Sequence, residues 1–162
     1  MTTHPPTIFT VGHSNHPIDR FIDLLRAHGI EALVDVRAFP GSRRNPQFNK
    51  DALSAALRQA GITYHHMVSL GGFRKHDDIP EETGFSAYMK YTKTDEFQSS
   101  IKSIKEITLG KNTTVMCAEA LWWNCHRQYI AEAMAKDGFT VVHILDEKRA
   151  AERDRSPTLP GL

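Results

Sequence analysis

The residues best suited to chemistry lie in one stretch, CAEALWWNCHR, which runs from Cys117 to Arg127. Cys125 falls at the start of a predicted helix, where the helix dipole and the cationic neighbour Arg127 would favour the thiolate of a nucleophile. Glu119 and His126 are candidate proton donors or acceptors, because a buried carboxyl or an imidazole can titrate near neutral pH. The commoner role of a single cysteine, a small buried apolar residue, stays open for Cys125.

The same stretch also contains ligands of the kind that bind metal ions. Cys117, Glu119, Cys125 and His126 offer soft and imidazole donors, but their spacing is not that of a known zinc module. Adjacent helical residues project about 100° apart, which makes joint chelation by Cys125 and His126 awkward. We therefore assign no metal site, and the sequence specifies no cofactor.

A second group, Gly12, His13 and Ser14, follows a short apolar strand near the N-terminus. Gly12 lets the backbone approach a ligand closely, and the Ser14 hydroxyl can donate a hydrogen bond. Free N–H groups at the start of the following helix would favour an anion, and His13 is a further candidate for proton transfer. The alternative is that the three residues only shape the turn.

A third group ends the second predicted strand. Asp35 and Arg37 are two positions apart and can therefore point to the same side. A simple ion pair explains both, yet a paired aspartate would also fix the arginine for bidentate capture of phosphate or carboxylate. Arg43 follows in the same loop, between Phe39 and Phe48, and such basic and aromatic residues together could bind a nucleotide or a single strand.

These groups are predicted to form one site. In an open parallel sheet, ligands bind beyond the carboxyl ends of the strands, where the loops converge. The third strand adds Tyr64, one of three consecutive side chains that alternate in direction. The candidate catalytic residues are His13, Glu119, Cys125 and His126, and the candidate ligand-binding residues are Gly12, Ser14, Asp35, Arg37, Arg43, Tyr64 and Arg127.

The elements that must position these residues alternate between strands and helices. Apolar runs predict strands at 7–11, 32–36, 62–68, 113–117 and 139–145, and helical spacing predicts helices at 18–28, 50–60, 85–91, 96–109 and 125–136. This order predicts a Rossmann-like three-layer α/β/α sandwich with a mainly parallel sheet of about five strands.

Composition limits the organisation of the chain. With 162 residues, 40% of them hydrophobic and 24% charged, the chain is long enough for one packed domain, which we place at residues 1–146. Residues 147–162 are rich in charge and proline, so we expect a charged C-terminal tail, frayed or disordered. A net charge of +1 gives no general electrostatic case for nucleic acid or membrane, so any such binding needs a local patch.

The sequence favours a cytoplasmic protein with no membrane partner. No apolar run approaches the ~20 residues that cross a bilayer, and the N-terminus lacks the features of a secretory signal. The two cysteines, Cys117 and Cys125, form a poor disulfide framework and suit a reducing compartment. The signatures of dinucleotide binding, P-loop hydrolysis, zincin proteolysis and the serine-hydrolase elbow do not occur in the sequence.

The assembled motifs resemble the family catalogued as domain of unknown function 488. The resemblance is carried by TVGHSNHPIDRFIDLL, DVRAFPGSRR, GITYHHMVSLGG and VMCAEALWWNCHRQYIAEAM, and it extends from about Thr7 to Leu145. It implies a compact α/β domain of the bacterial and archaeal cytosol with no established activity. One departure concerns the stretch before Cys125, where the family pattern leads us to expect a proline and this chain has Leu121-Trp122-Trp123-Asn124.

The leading hypothesis is an enzyme of the hydrolase or transferase type that acts on a phosphate-bearing or other anionic ligand, such as a nucleotide or a nucleic-acid end. Arg37 and Arg127 would hold the charge, and Glu119, His126 or Cys125 would attack or transfer protons.

Two alternatives remain. A non-catalytic nucleic-acid or nucleotide-binding module would use the same arginines with Phe39 and Phe48, and its binding would weaken steeply with salt. A structural domain would use its Cys, His and Arg side chains as an internal hydrogen-bond network. The sequence does not specify an oligomeric state.

Overall fold

A central sheet flanked by helices organises the chain, as seen in a computed structural model that describes residues 6–41, 43–71, 75–76, 79–83, 85–119, 126–146 and 150–152. The strands are β1 (Thr7–Gly12), β2 (Ala32–Asp35), β3 (Thr63–His66), β4 (Lys75–His76), β5 (Ile79–Thr83), β6 (Thr113–Cys117), β7 (Thr140–Ile144) and β8 (Ala150–Glu152). The helices are α1 (Ile18–Ala27), α2 (Lys50–Gln59), α3 (Phe85–Tyr91), α4 (Asp95–Thr108) and α5 (Arg127–Lys136), with short 3₁₀ turns at Pro46–Phe48 and Val68–Leu70.

The main sheet has the strand order β3-β2-β6-β1-β7-β8. Its first five strands are parallel to their neighbours, and β8 pairs with β7 in the antiparallel sense. A separate antiparallel pair is formed by β4 and β5. The predicted α/β sandwich with a mainly parallel sheet of about five strands is therefore confirmed.

The helices cover both faces of the sheet. Leu33 and Val34 are adjacent in β2 and point to opposite faces, as the pleat requires, and each belongs to a different apolar cluster. On the face of Leu33, α1 and α2 contribute Phe21, Leu24, Leu25, Leu53 and Leu57. On the face of Val34, α4 and α5 contribute Phe97, Ile101, Ile104, Ile130 and Met134.

Helix ends follow local sequence signals. Pro17 precedes the first turn of α1, where its fixed φ suits a helix start, and Gly29 follows the last turn with a φ of +68°. The hydroxyl of Thr94 accepts a hydrogen bond from the backbone N–H of Phe97 at 3.2 Å and so caps α4.

The position of β6 brings the candidate residues together. Although β6 comes late in the chain, it lies between β1 and β2. The carboxyl ends of these three parallel strands are therefore neighbours, and the loops that follow them leave from one edge of the sheet.

Some boundaries differ from those expected from sequence. The structure places β3 at Thr63–His66 because the chain turns at Val68–Leu70, and α5 is described from Arg127 onward. The strand β8 lies in the segment that we expected to be a frayed or disordered tail. No helix in the described part of the chain is both long enough and apolar enough to cross a membrane.

Candidate functional site

Backbone hydrogen bonds tie the three loops together just beyond the sheet. The N–H of His13 donates to the carbonyl of Cys117 at 2.9 Å, which extends the pairing of β1 with β6. On the other side of β6, the N–H of Val36 donates to the carbonyl of Met116 at 3.0 Å. The side chains that follow β1, β2 and β6 therefore start from a rigid common frame.

A buried ion pair lies at the end of β2. Arg37 Nε donates to Asp35 Oδ1 at 2.9 Å and Arg37 Nη2 donates to Asp35 Oδ2 at 2.7 Å. The carboxylate also accepts hydrogen bonds from the Arg37 backbone N–H at 3.1 Å and from the Tyr64 hydroxyl at 2.6 Å. Asp35 is fully buried and Arg37 is 7% exposed, so the guanidinium is fixed in one orientation.

Tyr64 is held as the neutral phenol in this arrangement. Burial is the main reason why its pKa lies above the ordinary value of 10, and the hydrogen bond to Asp35 acts in the same direction. Its hydroxyl therefore stays a donor to Asp35 over the physiological pH range.

His13 lies beside this pair and is almost completely buried. Its ring stacks on Phe48 with a centroid distance of 4.3 Å and an interplanar angle of 19°. Nδ1 lies 2.7 Å from the carbonyl oxygen of Ser14, which can only accept, so Nδ1 carries the proton and Nε2 has the lone pair. Nε2 faces Arg37 Nη1 at 3.4 Å.

The environment keeps His13 uncharged. Burial lowers the pKa of His13 to about 4, and the positive charge of Arg37 also lowers it, while the hydrogen bond to Ser14 opposes the shift. At neutral pH the ring is therefore an imidazole with an unprotonated nitrogen directed at an arginine.

Two other histidines hold the backbone after β2. His126 Nε2 donates to the carbonyl of Val36 at 2.9 Å, and His66 Nε2 donates to the carbonyl of Arg37 at 2.9 Å. Both rings therefore position the loop that carries the ion pair. The sequence predicted a catalytic role for His126, and this contact with the backbone does not test it. That role stays a prediction.

Arg127 is buried behind the end of the sheet, with 1% of its surface exposed. Its Nη1 donates to Thr10 Oγ1 at 3.1 Å and its Nη2 donates to the backbone carbonyl of Glu119 at 2.7 Å. Through these two contacts, Arg127 connects the segment after β6 to Thr10 in β1. The side chain of Glu119 is exposed.

The other candidate residues differ in their burial. Gly12 is buried at the end of β1, and Ser14 adopts a left-handed backbone with a φ of +50°. Arg43 is exposed in the connection between β2 and α2. Cys125 lies outside the described residues. Among the residues that the structure describes, no three His, Cys, Asp or Glu side chains converge as metal ligands would.

Phe48 has a role that the sequence did not reveal. It was expected to be an aromatic available to a nucleotide, but it is fully buried, with its ring under His13 and edge-on to Phe21 at 5.0 Å. The 3₁₀ turn at Pro46–Phe48 brings the ring beneath the site. Phe48 therefore supports the ring of His13, and it presents no exposed face on which a nucleotide could stack.

The start of α1 adds N–H donors next to the Gly12–Ser14 turn. Pro17 at its N-cap makes no side-chain capping bond, so the N–H groups of the first turn keep the partial positive charge of the helix dipole. Asp19 in that turn offsets part of this charge.

A family model described as "Domain of unknown function DUF488" matches residues 17–134, which is most of the chain. The match includes Asp35, Arg37 and Tyr64 and begins after His13. This match is shorter than the resemblance inferred from the sequence motifs, which extends from about Thr7 to Leu145. No curated protein matches the sequence, and no solved structure matches it.

Proposed function

Because this chain belongs to the DUF488 family, whose description assigns no function, we propose from the chemistry of the site that it is an enzyme of the hydrolase or transferase type. Its substrate is a phosphate-bearing or other anionic ligand, bound beyond the carboxyl ends of β1, β2 and β6. The observation that carries the proposal is the buried Arg37, held by Asp35, with its Nη1 directed at the lone pair of His13.

A buried charged cluster of this kind is poorly explained by stability alone. Removing Asp35 and Arg37 from water costs a free energy of desolvation that their attraction only roughly offsets, and apolar residues often stabilise such a place equally well. Groups with perturbed pKa values also concentrate at functional sites, and His13 and Tyr64 both belong to this cluster.

Arg37 is suited to receive an anionic oxygen. Asp35 occupies Nε and Nη2, whereas Nη1 makes only a long hydrogen bond, of 3.4 Å, to the lone pair of His13 Nε2. Nη1 carries a second N–H group, which can donate to a ligand oxygen without any change in the orientation of the guanidinium. Asp35 holds the planar guanidinium in place, so it acts as a positioning residue.

His13 is the proposed catalytic base. When a ligand binds beside Arg37 Nη1, its negative charge raises the pKa of His13 from its low value, and Nε2 can accept a proton in place of its long contact with Nη1. A water or hydroxyl oxygen then forms a bond to phosphorus while its proton passes to Nε2. The bond from phosphorus to the leaving oxygen breaks, and Nε2 returns the proton to that oxygen. The Ser14 carbonyl stabilises the charged ring through Nδ1.

Four further candidate residues from the sequence belong to this proposal. Glu119, with its exposed carboxyl group at the end of β6, is a second proton-transfer group, and Cys125 is the candidate for a covalent intermediate. His126 and Arg127 position the loops. We assign the activity to the cytoplasm, since the buried thiol of Cys117 suits a reducing compartment.

Turnover by site variants tests the proposal. Purified protein is assayed against a panel of phosphomonoesters, phosphodiesters and nucleoside triphosphates, and His13→Gln is expected to lower kcat by about 10²- to 10⁴-fold. The matched control is His28→Gln, because His28 also contacts a backbone carbonyl, that of Asp146, but at the end of α1. The proposal fails if no member of the panel turns over, or if His13→Gln keeps the wild-type rate.

A further inference from the structure

We propose that Phe39, Arg43 and Arg44, in the connection from β2 to α2, bind single-stranded nucleic acid. An unpaired base stacks on Phe39, and backbone phosphates contact the two arginines. The inference rests on the proposed function, because it identifies the phosphate-bearing ligand of that site as a nucleic-acid strand.

Phe39 has the exposure that base stacking requires. Its side chain is 74% exposed, whereas Phe21, Phe48 and Phe97 are buried in the core. A single exposed aromatic residue is common on protein surfaces and is not by itself a site. The rigidity and the charge around Phe39 distinguish this one.

The backbone around Phe39 is held on both sides. The N–H of Gly41 donates to the carbonyl of Phe39 at 2.8 Å, and the N–H of Lys50 donates to the carbonyl of Pro40 at 2.8 Å. On the other side, a Cβ built on Gly71 would lie 2.7 Å from the Cβ of Ala38, so these two backbones are in close contact. The ring is therefore presented from a fixed turn, which reduces the entropy lost on binding.

The segment that carries Phe39 is basic in sequence, although the chain as a whole is almost neutral. Between Val36 and Lys50 the sequence contains no acidic residue, and Arg43, Arg44 and Lys50 add positive charge besides Arg37, whose charge is paired with Asp35. Arg43 and Arg44 are both exposed. This connection is therefore the local basic patch that nucleic-acid binding requires in a protein with a net charge of +1.

Phe39 is close in sequence to the proposed catalytic site. Phe39 lies two residues after Arg37, so at most about 7 Å separates their Cα atoms. A strand with one base on Phe39 would place a neighbouring phosphate near Arg37 and His13. A single strand fits better than a duplex, because an aromatic side chain stacks only on a base that is not already stacked in a helix.

Fluorescence anisotropy with a labelled oligonucleotide of ten thymidines tests the stacking contact in the full chain. Phe39→Ala is expected to weaken binding about 5- to 150-fold, the usual effect of removing one aromatic stacking partner. Phe39→Trp should bind as tightly as the wild type or more tightly. Phe39→Leu should resemble Phe39→Ala, because leucine keeps the apolar surface without the ring. Leu109→Ala, which alters a residue 86% exposed after α4, is the control and should not change binding.

The salt dependence tests the phosphate contacts. The plot of log K against log salt is expected to become shallower by about 1.4 in Arg43→Ala/Arg44→Ala, since each phosphate contact to a single strand contributes about 0.7. Arg26→Ala, an exposed arginine in the last turn of α1, is the control and should keep the wild-type slope. Binding that is as tight to an abasic oligonucleotide or to a duplex of equal length, or that does not depend on Phe39, overturns the inference.

The same proteins separate this inference from the proposed function. If His13→Gln loses turnover of a small phosphate ester while binding of the oligonucleotide is independent of Phe39, the enzyme proposal stands and the nucleic-acid inference fails. If the oligonucleotide binds through Phe39 but His13→Gln leaves turnover unchanged, only the enzyme proposal fails.

Discussion

Arg37 donates two parallel hydrogen bonds to the carboxylate of Asp35, at 2.9 Å from Nε and at 2.7 Å from Nη2. Both groups are buried at the carboxyl end of the sheet, and the third nitrogen of the guanidinium faces His13. The pair thus has two consequences. It fixes the orientation of the Arg37 guanidinium. It also means that removing either charge leaves the other one buried without its counter-charge.

A double-mutant cycle measures this dependence. Asp35→Asn is expected to lower the free energy of unfolding by about 3–5 kcal/mol, because it leaves the buried Arg37 without its counter-charge. In Asp35→Asn/Arg37→Met the loss should be clearly smaller than the sum of the two single losses, as measured by urea unfolding. Losses that add would show that the two charges do not depend on each other.

The burial of neutral His13 predicts how stability changes with pH. The unfolded chain protonates this histidine near pH 6.5, whereas the folded protein does so near pH 4, so the unfolded state binds more protons between these values. The free energy of unfolding should therefore fall by up to about 3 kcal/mol as the pH is lowered from 6.5 to 4, with no contribution from His13 above that range.

The comparison with His13→Gln isolates this contribution. The difference in free energy of unfolding between wild type and variant, followed by chemical denaturation from pH 7 to pH 4, should shrink by that amount. Curves for the two proteins that stay parallel over the range would contradict the buried, neutral state of His13.

Tyr64→Phe should lower the free energy of unfolding by an unusually large amount for a half-buried tyrosine. The hydroxyl donates to the buried carboxylate of Asp35, and a hydrogen bond to a charged group contributes about 1.5–3 kcal/mol. Tyr91→Phe is the matched control, since the Tyr91 hydroxyl donates to the neutral carbonyl of Ser69 and its loss should cost about 0.5–1.5 kcal/mol. Thermal unfolding of both variants checks the order, and equal losses would argue against a charged Asp35.

Gly71 is a position where a methyl group should not fit. A Cβ there would lie 2.7 Å from the Cβ and 2.8 Å from the Cα of Ala38, and the backbone cannot easily move away. Gly71→Ala should destabilise the fold by about 1–3 kcal/mol or more, whereas Gly110→Ala, with open space around its Cβ, should be close to neutral. If Gly71→Ala unfolds at the same urea concentration as Gly110→Ala, the close contact with Ala38 is wrong.

The layout of the fold could be predicted from sequence because its signals are local. Apolar runs and helical spacing predicted β6 at Thr113–Cys117 and α3 at Phe85–Tyr91, and the structure has both elements at these bounds. The alternation of strands and helices also predicted that the ends of β1, β2 and β6 share one edge. The position of β6 between β1 and β2 could not be predicted, because strand order depends on long-range packing.

Side-chain partners were harder to predict, since they join residues far apart in sequence. Asp35 and Arg37 are two positions apart, and their pairing was foreseen as one of two alternatives. His66 binding to the carbonyl of Arg37, and Arg127 binding to Thr10, have no local signal. Arg127 was expected to face a ligand, whereas its described contacts are with the protein interior.

The most direct test of the central claim is an NMR titration of the His13 imidazole with and without sulfate, an anion that keeps its charge between pH 4 and pH 7. Without sulfate, the pKa should be about 4. Saturation with sulfate should raise it, because the anion adds negative charge beside Nε2, and Arg37→Met should abolish the rise. An unchanged pKa in the presence of bound sulfate, or an ordinary pKa near 6.5 without it, would contradict an anion site formed by Arg37 and His13.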